Sequence, residues 1–427
     1  MIIVATIFFV LLLIGVPIGF VLGIAGIAGL YLIGGDNFLT MAPKRFFEGL
    51  NLFTFMAMPF FILAGEIMNR VGLTVRLTAF ADSLVGYLRG GLAHTNMVAS
   101  AMFACMSGAA VSDAAALGNT LVPAMIKQGY TRPYACAVTA AGAIMGPTIP
   151  PSNLMVIYGS LTGVSIAGLF AAGIIPGLLL GLSCMALIAA TGRRLGLPKR
   201  PGSPSLKEIF WRFRGALLAL LMPVLILGGI IGGIVTPTEA AAIAVFYAFC
   251  LGLFVYRNLT FTVIIETLIR TARITGVVFL IIASASILSW WMTFMQIPQA
   301  IAASILSVSS NPLAVKGLIL LLLLFIGMFM DINAALIILA PMLVTLTAGI
   351  GMHPVHAGVM IILALNISLM TPPVGACLFV LCSITGESLE GITKAIWPFI
   401  LVEVAVLVVV TYWTELTMFI PKLLLGM

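Results

Sequence analysis

Two clusters of proline within long apolar stretches constrain this chain more than any other feature of its sequence. The first lies in residues 142–153, GAIMGPTIPPSN, and the second in residues 366–375, NISLMTPPVG. A proline has no backbone N–H to donate to the carbonyl four residues earlier, so a regular α-helix cannot continue through either cluster. The sequence therefore predicts two interrupted helices.

Each interruption is expected to leave carbonyl groups without their helical donors. The carbonyls concerned belong to Ala143, Gly146, Pro147, Ser368 and Leu369. Hydrocarbon tolerates such groups only where they are buried in protein or face a polar cavity. Two interpretations remain open at this point. The clusters are either ordinary proline kinks of membrane helices or broken helices whose carbonyls bind cations, as in many secondary transporters.

The composition is that of a membrane protein. Of the 427 residues, 62% are hydrophobic and 8% are charged, and the mean hydropathy is +1.25. A soluble domain carries about 25% charged residues. We therefore predict an all-α polytopic membrane protein embedded in a lipid bilayer. The net charge of +7 does not indicate a nucleic-acid partner, because the basic residues lie at the ends of the apolar stretches.

The second half of the chain resembles the first at a nearly constant offset. Asp113 corresponds to Asp331, Pro123 corresponds to Pro341, and the two Pro-Pro pairs correspond to each other. No single match is specific, but their common order predicts an internal repeat.

The predicted repeats have the same parts in the same order. The first repeat is residues 1–191, with a hairpin at 92–127 and a broken helix at 134–158. The second is residues 215–427, with a hairpin at 312–346 and a broken helix at 355–382. Each hairpin is predicted to enter the membrane and return to the same side.

A polar loop, residues 192–214, joins the repeats and sets the predicted orientation. Its basic residues are Arg193, Arg194, Lys199, Arg200, Lys207, Arg212 and Arg214. Basic loops stay in the cytoplasm, so we predict that this loop is cytoplasmic and that both termini lie outside. The two repeats are then inverted relative to each other, an arrangement typical of alternating access around a site at the membrane centre.

If each hairpin tip meets the broken helix of its own repeat, two cages of oxygen atoms form. The first cage would use Ser107, Gly108, Gly146, Thr148 and Pro150. The second would use Gly327, Met330, Thr371 and Pro372. Neutral carbonyl and hydroxyl oxygens suit a monovalent hard cation such as Na⁺, whereas a divalent ion usually needs several carboxylates.

Polar side chains near the first cage are candidates for binding a substrate. They are Ser107, Ser152 and Asn153. For Asp113 and Asp331 we expect helix capping, since each precedes an apolar helical stretch. Glu66 and Glu239 are further candidates, because acidic residues in apolar spans are functional candidates by default. The alternative is that both lie near helix ends.

The sequence gives no sign of an enzyme. It contains no HExxH motif, no GxSxG elbow and no P-loop, which argues against a membrane protease and against an ATP-driven pump. We expect neither a catalytic residue nor an enzymatic activity.

Three strings in this chain resemble the large membrane subunit of the tripartite ATP-independent periplasmic (TRAP) transporters. They are MPFFILAGEIMNRVG at 58–72, SGAAVSDAAALGNTLVPAMIKQGY at 107–130 and GPTIPPSNLMVIYG at 146–159. The resemblance covers essentially the whole chain. It implies an elevator-type transporter of the bacterial inner membrane, with two re-entrant hairpins and Na⁺ sites at their tips.

The same resemblance implies two partners and a substrate class. The partners are a small four-helix membrane subunit, here a separate chain, and a soluble periplasmic substrate-binding protein. The substrates are carboxylates of the sialic acid or C4-dicarboxylate type. The alternative is a self-contained Na⁺/dicarboxylate symporter with the same inverted-hairpin architecture.

Overall fold

The computed structural model describes residues 2–199, 205–308 and 311–427. The chain is 82% helical, and the described residues contain no strand. The prediction of an all-α fold is therefore confirmed.

The first half contains eleven α-helices within the described residues. They are α1 Ile2–Leu13, α2 Ile18–Gly34, α3 Asp36–Leu39, α4 Met41–Leu50, α5 Ala57–Arg70, α6 Leu73–Val85, α7 Gly91–Ser107, α8 Ala110–Lys127, α9 Arg132–Ala143, α10 Asn153–Thr162 and α11 Ile166–Thr191. A 3₁₀ turn, Phe53–Met56, leads into α5.

The second half contains ten more within the same described ranges. They are α12 Leu206–Ile231, α13 Pro237–Cys250, α14 Phe261–Phe294, α15 Ile297–Val308, α16 Pro312–Gly327, α17 Ile332–Gly349, α18 Pro354–Ser368, α19 Ala376–Thr385, α20 Leu389–Tyr412 and α21 Glu415–Leu425. A π-helical turn, Leu251–Val255, continues α13.

Six of the described helices are long and apolar enough to cross a membrane. They are α11, α12, α13 with its π-helical turn, α14, α17 and α20. A bent pair, residues 36–50 and 53–70 at 59°, makes up to seven. The chain is thus a multi-pass membrane protein.

Helices are interrupted at both proline clusters, as the sequence predicts. The predicted hairpins are the helix pairs α7–α8 and α16–α17, and the predicted broken helices are α9–α10 and α18–α19. We call residues 106–113 the first tip, 327–333 the second tip, 144–152 the first break and 369–375 the second break. Both the Pro150–Pro151 and the Pro372–Pro373 peptide bonds are cis.

The two halves interlock around the breaks. Helix α8 of the first hairpin packs against α9 of its own half and against α19 of the other half. Helix α17 of the second hairpin packs against α18 of its own half and against α10 of the other half. Each break is therefore enclosed by elements from both halves. That the halves are inverted repeats of each other remains a prediction.

Helix α14 is longer than the sequence indicates. The apolar run at 275–295 predicts a single span there, but it covers only the second part of this helix. The helix begins at Phe261, where the Thr260 side chain accepts a hydrogen bond from the Val263 N–H. The charges of Glu266, Arg270 and Arg273 lower the hydropathy of its first part, which hides that part from a search for apolar spans. Helix α14 packs against α2, α4, α5 and α17.

The polar loop is shorter than predicted. Helix α12 begins at Leu206, so the last part of the predicted loop 192–214 is helical. Arg212 in this helix donates to the Ala79 carbonyl at 2.9 Å and lies 3.4 Å from the Asp82 carboxylate, which ties α12 to α6. Residues 200–204 of the loop lie outside the described residues.

A candidate ion and substrate site at the helix breaks

The first tip packs directly against the first break. Helix α7 ends at Ser107, Gly108 adopts a left-handed conformation (φ +60°), and α8 begins at Ala110. A Cβ atom at Gly108 would lie 2.6 Å from the Pro151 carbonyl oxygen, so no other residue type fits without a shift of backbone. The structure thus brings Ser107 and Gly108 to the first break, as the sequence predicts.

Asp113 is the most unusual residue of this tip. Its carboxylate is fully buried and accepts a hydrogen bond from the Ser107 hydroxyl through Oδ1. Its other oxygen, Oδ2, has no hydrogen-bond partner among the described residues, and it lies so close to Gly146 that a Cβ there would overlap it. A buried carboxylate oxygen without a donor or a cation carries a large desolvation cost.

The predicted capping role of Asp113 is wrong. The N-cap of α8 is Ala109, which has no side chain able to cap, and Asp113 in the first turn makes no capping hydrogen bond. The Ser107 hydroxyl turns the carboxylate toward the first break instead.

Two of the three carbonyls predicted to be free in the first break are paired. The Ala143 carbonyl accepts from the Gly146 N–H at 3.0 Å, because the chain tightens into a turn, and the Pro147 carbonyl accepts from the Ser152 hydroxyl at 2.5 Å. For the Gly146 carbonyl the described residues supply no donor. Each paired carbonyl keeps a second lone pair that can bind a cation.

In the second break both carbonyls predicted to be free are paired. The Ser368 carbonyl accepts from the Thr371 N–H at 3.0 Å. The Leu369 carbonyl accepts from the Cys377 N–H at 3.1 Å, because the chain turns back at Gly375 (φ +43°) and brings the start of α19 under it. The proline pair interrupts the helix, but local turns recover the lost hydrogen bonds.

The second tip is built differently from the first. Asp331 is the N-cap of α17, and its Oδ1 accepts from the N–H groups of Asn333 and Ala334 at 3.0 and 3.2 Å, so its predicted capping role is confirmed. Gly327 lies against Ser368, since a Cβ at Gly327 would overlap the Ser368 hydroxyl.

The other three residues of the predicted second cage lie in the second tip or the second break. Met330 is half-buried at the second tip, and Pro372 is half-buried in the second break. The buried Thr371 hydroxyl donates to the Ile367 carbonyl at 2.8 Å.

A side chain that the sequence did not single out links α18, just before the second break, to the first break. Asn366, fully buried near the end of α18, donates from Nδ2 to the Thr148 hydroxyl at 3.0 Å, and Thr148 donates in turn to the Ile144 carbonyl at 3.1 Å. The Asn366 Oδ1 atom has no partner among the described residues. In the sequence, the one indication of this contact is a polar asparagine that follows a long apolar stretch of α18.

A cavity of about 390 Å³ lies between the breaks and the pair α5–α14. Two of the three predicted substrate residues line it, Ser107 and Asn153, and the Asn153 Oδ1 atom is buried without a partner within the described part of the chain. Ser152 does not line it: this residue is fully buried, and its hydroxyl is used within the break.

The charged residues of the cavity lining are Glu66, Arg270 and Asp331. With the buried Asp113 of the first tip next to the cavity, there are three carboxylates and one guanidinium in this region. An anion entering this cavity would therefore meet net negative charge unless cations bind as well.

The donor atoms at the breaks are mainly neutral oxygens. Within the described residues no group of three or more His, Cys, Asp or Glu side chains is arranged to hold a metal ion. One carboxylate, that of Asp113, with hydroxyl and carbonyl oxygens around it, is a donor set that fits Na⁺.

Comparisons with known proteins agree on one family. The family model "Tripartite ATP-independent periplasmic transporter, DctM component" matches residues 5–416. The sialic acid TRAP transporter large permease protein SiaM of Vibrio cholerae is 40% identical over 97% of each chain. The C4-dicarboxylate TRAP transporter large permease protein DctM of the same organism is 35% identical over 97% of this chain and 96% of its own.

A solved structure shares the fold. The YdaH transporter of Alcanivorax borkumensis superposes with a TM-score of 0.61 over 89% of this chain and 88% of its own, at 15% identity.

Proposed function

Because the chain belongs to the DctM component family of the tripartite ATP-independent periplasmic transporters, we propose that it carries a carboxylate across the bacterial inner membrane in symport with Na⁺. Its relatives are transporter subunits and not enzymes. Sialic acid and C4-dicarboxylates, named for two relatives, define the substrate class proposed here.

The observation that carries the Na⁺ proposal is the unpartnered Oδ2 atom of Asp113. A cation beside it would neutralise the buried carboxylate and occupy the space that Gly146 leaves open. Asp113 thus joins the predicted first cage of Ser107, Gly108, Gly146, Thr148 and Pro150. The second cage, Gly327, Met330, Thr371 and Pro372, would hold Na⁺ with neutral oxygens alone.

The charge of the cavity supports coupling between the cation and the anion. Na⁺ bound at the breaks offsets the carboxylates of Asp113 and Asp331, so a substrate carboxylate enters at lower electrostatic cost. By linkage, Na⁺ raises the affinity for the substrate, and the substrate raises the affinity for Na⁺ by the same factor.

We also propose that the hairpins are re-entrant and that transport is of the elevator type. The cavity has one wall made of the tips and the first break, and a second wall made of α5 and α14, which belong to no hairpin. Because the two walls belong to different elements, the hairpins and the first break can move past α5 and α14 with the ions and substrate bound.

Two partners belong to the proposal: a small four-helix membrane subunit and a periplasmic substrate-binding protein. The word "tripartite" in the family description supports both. The alternative is a symporter that works alone on dicarboxylates. Uptake by this chain in liposomes without any other protein would favour that alternative.

The deciding experiment is uptake of labelled N-acetylneuraminate and succinate into proteoliposomes. Liposomes hold the chain with its small subunit, with the binding protein added outside, under an inward Na⁺ gradient or a matched K⁺ gradient. We expect uptake that needs both Na⁺ and the binding protein. Equal uptake in K⁺ would overturn the Na⁺ coupling, and no uptake of any carboxylate would overturn the substrate class.

The orientation is tested separately in intact cells. We expect a cysteine at Lys199 to resist a membrane-impermeant thiol reagent, and a cysteine at Lys44 to react with it. The matched background is a variant in which the six native cysteines are replaced. The reverse labelling pattern would contradict the predicted topology.

A further inference from the structure

An ion pair on the α5–α14 wall faces the cavity. Arg270 Nε of α14 lies 3.2 Å from Glu66 Oε1 of α5. One turn away on the same two helices, Arg70 and Glu266 form a second pair at 3.4 Å, and their side chains are 39% and 53% exposed. The pair that faces the cavity is asymmetric, since the Glu66 side chain is 5% exposed and the Arg270 side chain is 47% exposed.

This pair leaves hydrogen-bonding capacity unused on both partners. A guanidinium carries five N–H donors, and the contact through Nε leaves others free for a second carboxylate. The Glu66 Oε2 atom is buried and accepts no hydrogen bond from the described residues. An ion pair that served only to join α5 to α14 would satisfy its buried oxygens, because an unsatisfied one is costly.

The free groups define what the ligand must bring. Arg270 is the one cationic residue among the described residues that line the cavity, so it selects an anionic group. Glu66 Oε2 accepts only, so it selects a hydrogen-bond donor such as a hydroxyl. Glu66 and Asp331 both repel a second negative charge.

Resting on the function proposed above, we infer that this cavity selects a monocarboxylate that carries hydroxyl groups, the chemistry of a sugar acid, over a dicarboxylate. The ligand carboxylate binds Arg270, and a ligand hydroxyl donates to Glu66 Oε2. Asn153, on the facing wall with Ser107, is within the same lining and offers a further amide group to the hydroxyls. The volume of about 390 Å³ is that of a small-molecule site.

The test is competition for labelled N-acetylneuraminate on the purified membrane complex in saturating Na⁺. The competitors are gluconate, which has both features, hexanoate, which lacks the hydroxyls, and succinate, which has a second carboxylate instead. We expect gluconate to compete at least tenfold better than either of the other two, since one charge-assisted hydrogen bond is worth about that factor.

Two variants assign the selectivity to the pair. Arg270→Gln is expected to weaken binding of N-acetylneuraminate and gluconate about tenfold or more. Glu66→Gln removes the negative charge and is expected to narrow the preference for gluconate over succinate about tenfold. Arg273→Gln, on the same helix but outside the cavity lining, is the matched control and should leave both quantities unchanged.

The outcomes separate this inference from the proposed function. If wild type transports in Na⁺ but prefers succinate, the inference fails and the proposed function stands. If Arg270→Gln leaves binding unchanged, Glu66→Gln leaves the preference for gluconate unchanged, and both lower the melting temperature alike, the pair is structural and the inference is wrong. If wild type shows no Na⁺-dependent binding or uptake of any carboxylate, both fall together.

Discussion

The two hairpin tips carry an aspartate at matching positions of the sequence, yet the two carboxylates do different things. Asp331 is exposed and caps α17, where two backbone N–H groups satisfy it. Asp113 is buried, caps nothing and keeps one oxygen without a partner among the described residues. The two halves of the predicted repeat therefore carry an acid at corresponding positions but use it differently. Of the two carboxylates, that of Asp113 is the one with a buried oxygen that a cation could neutralise.

The strongest test of this difference exchanges each carboxylate for an amide. We expect Asp113→Asn to reduce Na⁺-dependent uptake by two orders of magnitude or more, since removing one member of a buried ion pair costs about 3–5 kcal/mol. Asp331→Asn should cost little, because asparagine is as good an N-cap as aspartate. Uptake at matched expression measures both. Equal losses in the two variants would show that the tips are equivalent after all.

The next test adds a methyl group at the tip glycines. Overpacking costs about 1–3 kcal/mol at either site. Gly108→Ala also meets the backbone carbonyl of Pro151 and adds left-handed strain of about 1–2 kcal/mol. Gly327→Ala meets the Ser368 hydroxyl, which can rotate, and the Ser368 Cβ at 2.7 Å, which cannot, but it adds no left-handed strain. We expect the melting temperature of the purified complex to fall further for Gly108→Ala.

In that test the matched control is Gly276→Ala in α14, where a Cβ would meet nothing within 4 Å. A larger fall for Gly327→Ala than for Gly108→Ala would contradict the close approach at the first tip.

The smallest effect is expected at the two threonines of the breaks. Thr148→Ala removes the acceptor of the buried Asn366 amide, so it should raise the Na⁺ concentration for half-maximal uptake by an amount equivalent to about 1–3 kcal/mol. Thr371→Ala removes one of two donors to the Ile367 carbonyl, because the Met370 N–H still donates to it at 3.2 Å. We therefore expect the Na⁺ concentration for half-maximal uptake to shift by the equivalent of less than about 1 kcal/mol. Na⁺ titration of uptake gives both values. A greater shift for Thr371→Ala would place the more important hydroxyl in the second break.

Much of the architecture could be predicted because proline and glycine act locally. The positions of the breaks and tips follow from the missing N–H of proline and from the apolar stretches around them. The hydrogen bonds within the breaks could not be predicted in this way. Cys377 donates to Leu369 only because the chain turns at Gly375, and a turn of that kind is set by packing.

The roles of the acidic residues divide in the same way. Glu239 forms a capping box with Thr236, a pattern of neighbouring residues that a sequence can reveal. Glu66 pairs with Arg270 across two helices that are far apart in the chain, and Asp113 in the first tip faces Gly146 in the first break. Pairings of this kind depend on the tertiary fold, so the sequence pointed to Glu66 but not to its partner.

The hydrogen bond from Asn366 to Thr148 has a consequence for the origin of the two halves. At the offset that aligns Pro150 with Pro372, the residue corresponding to Asn366 is Ile144, which has no side-chain donor. The bond therefore runs in one direction only, from the later half to the earlier one. If the halves descend from a duplicated gene, they have since specialised, and a chain assembled from two copies of the first half would leave Thr148 without its donor.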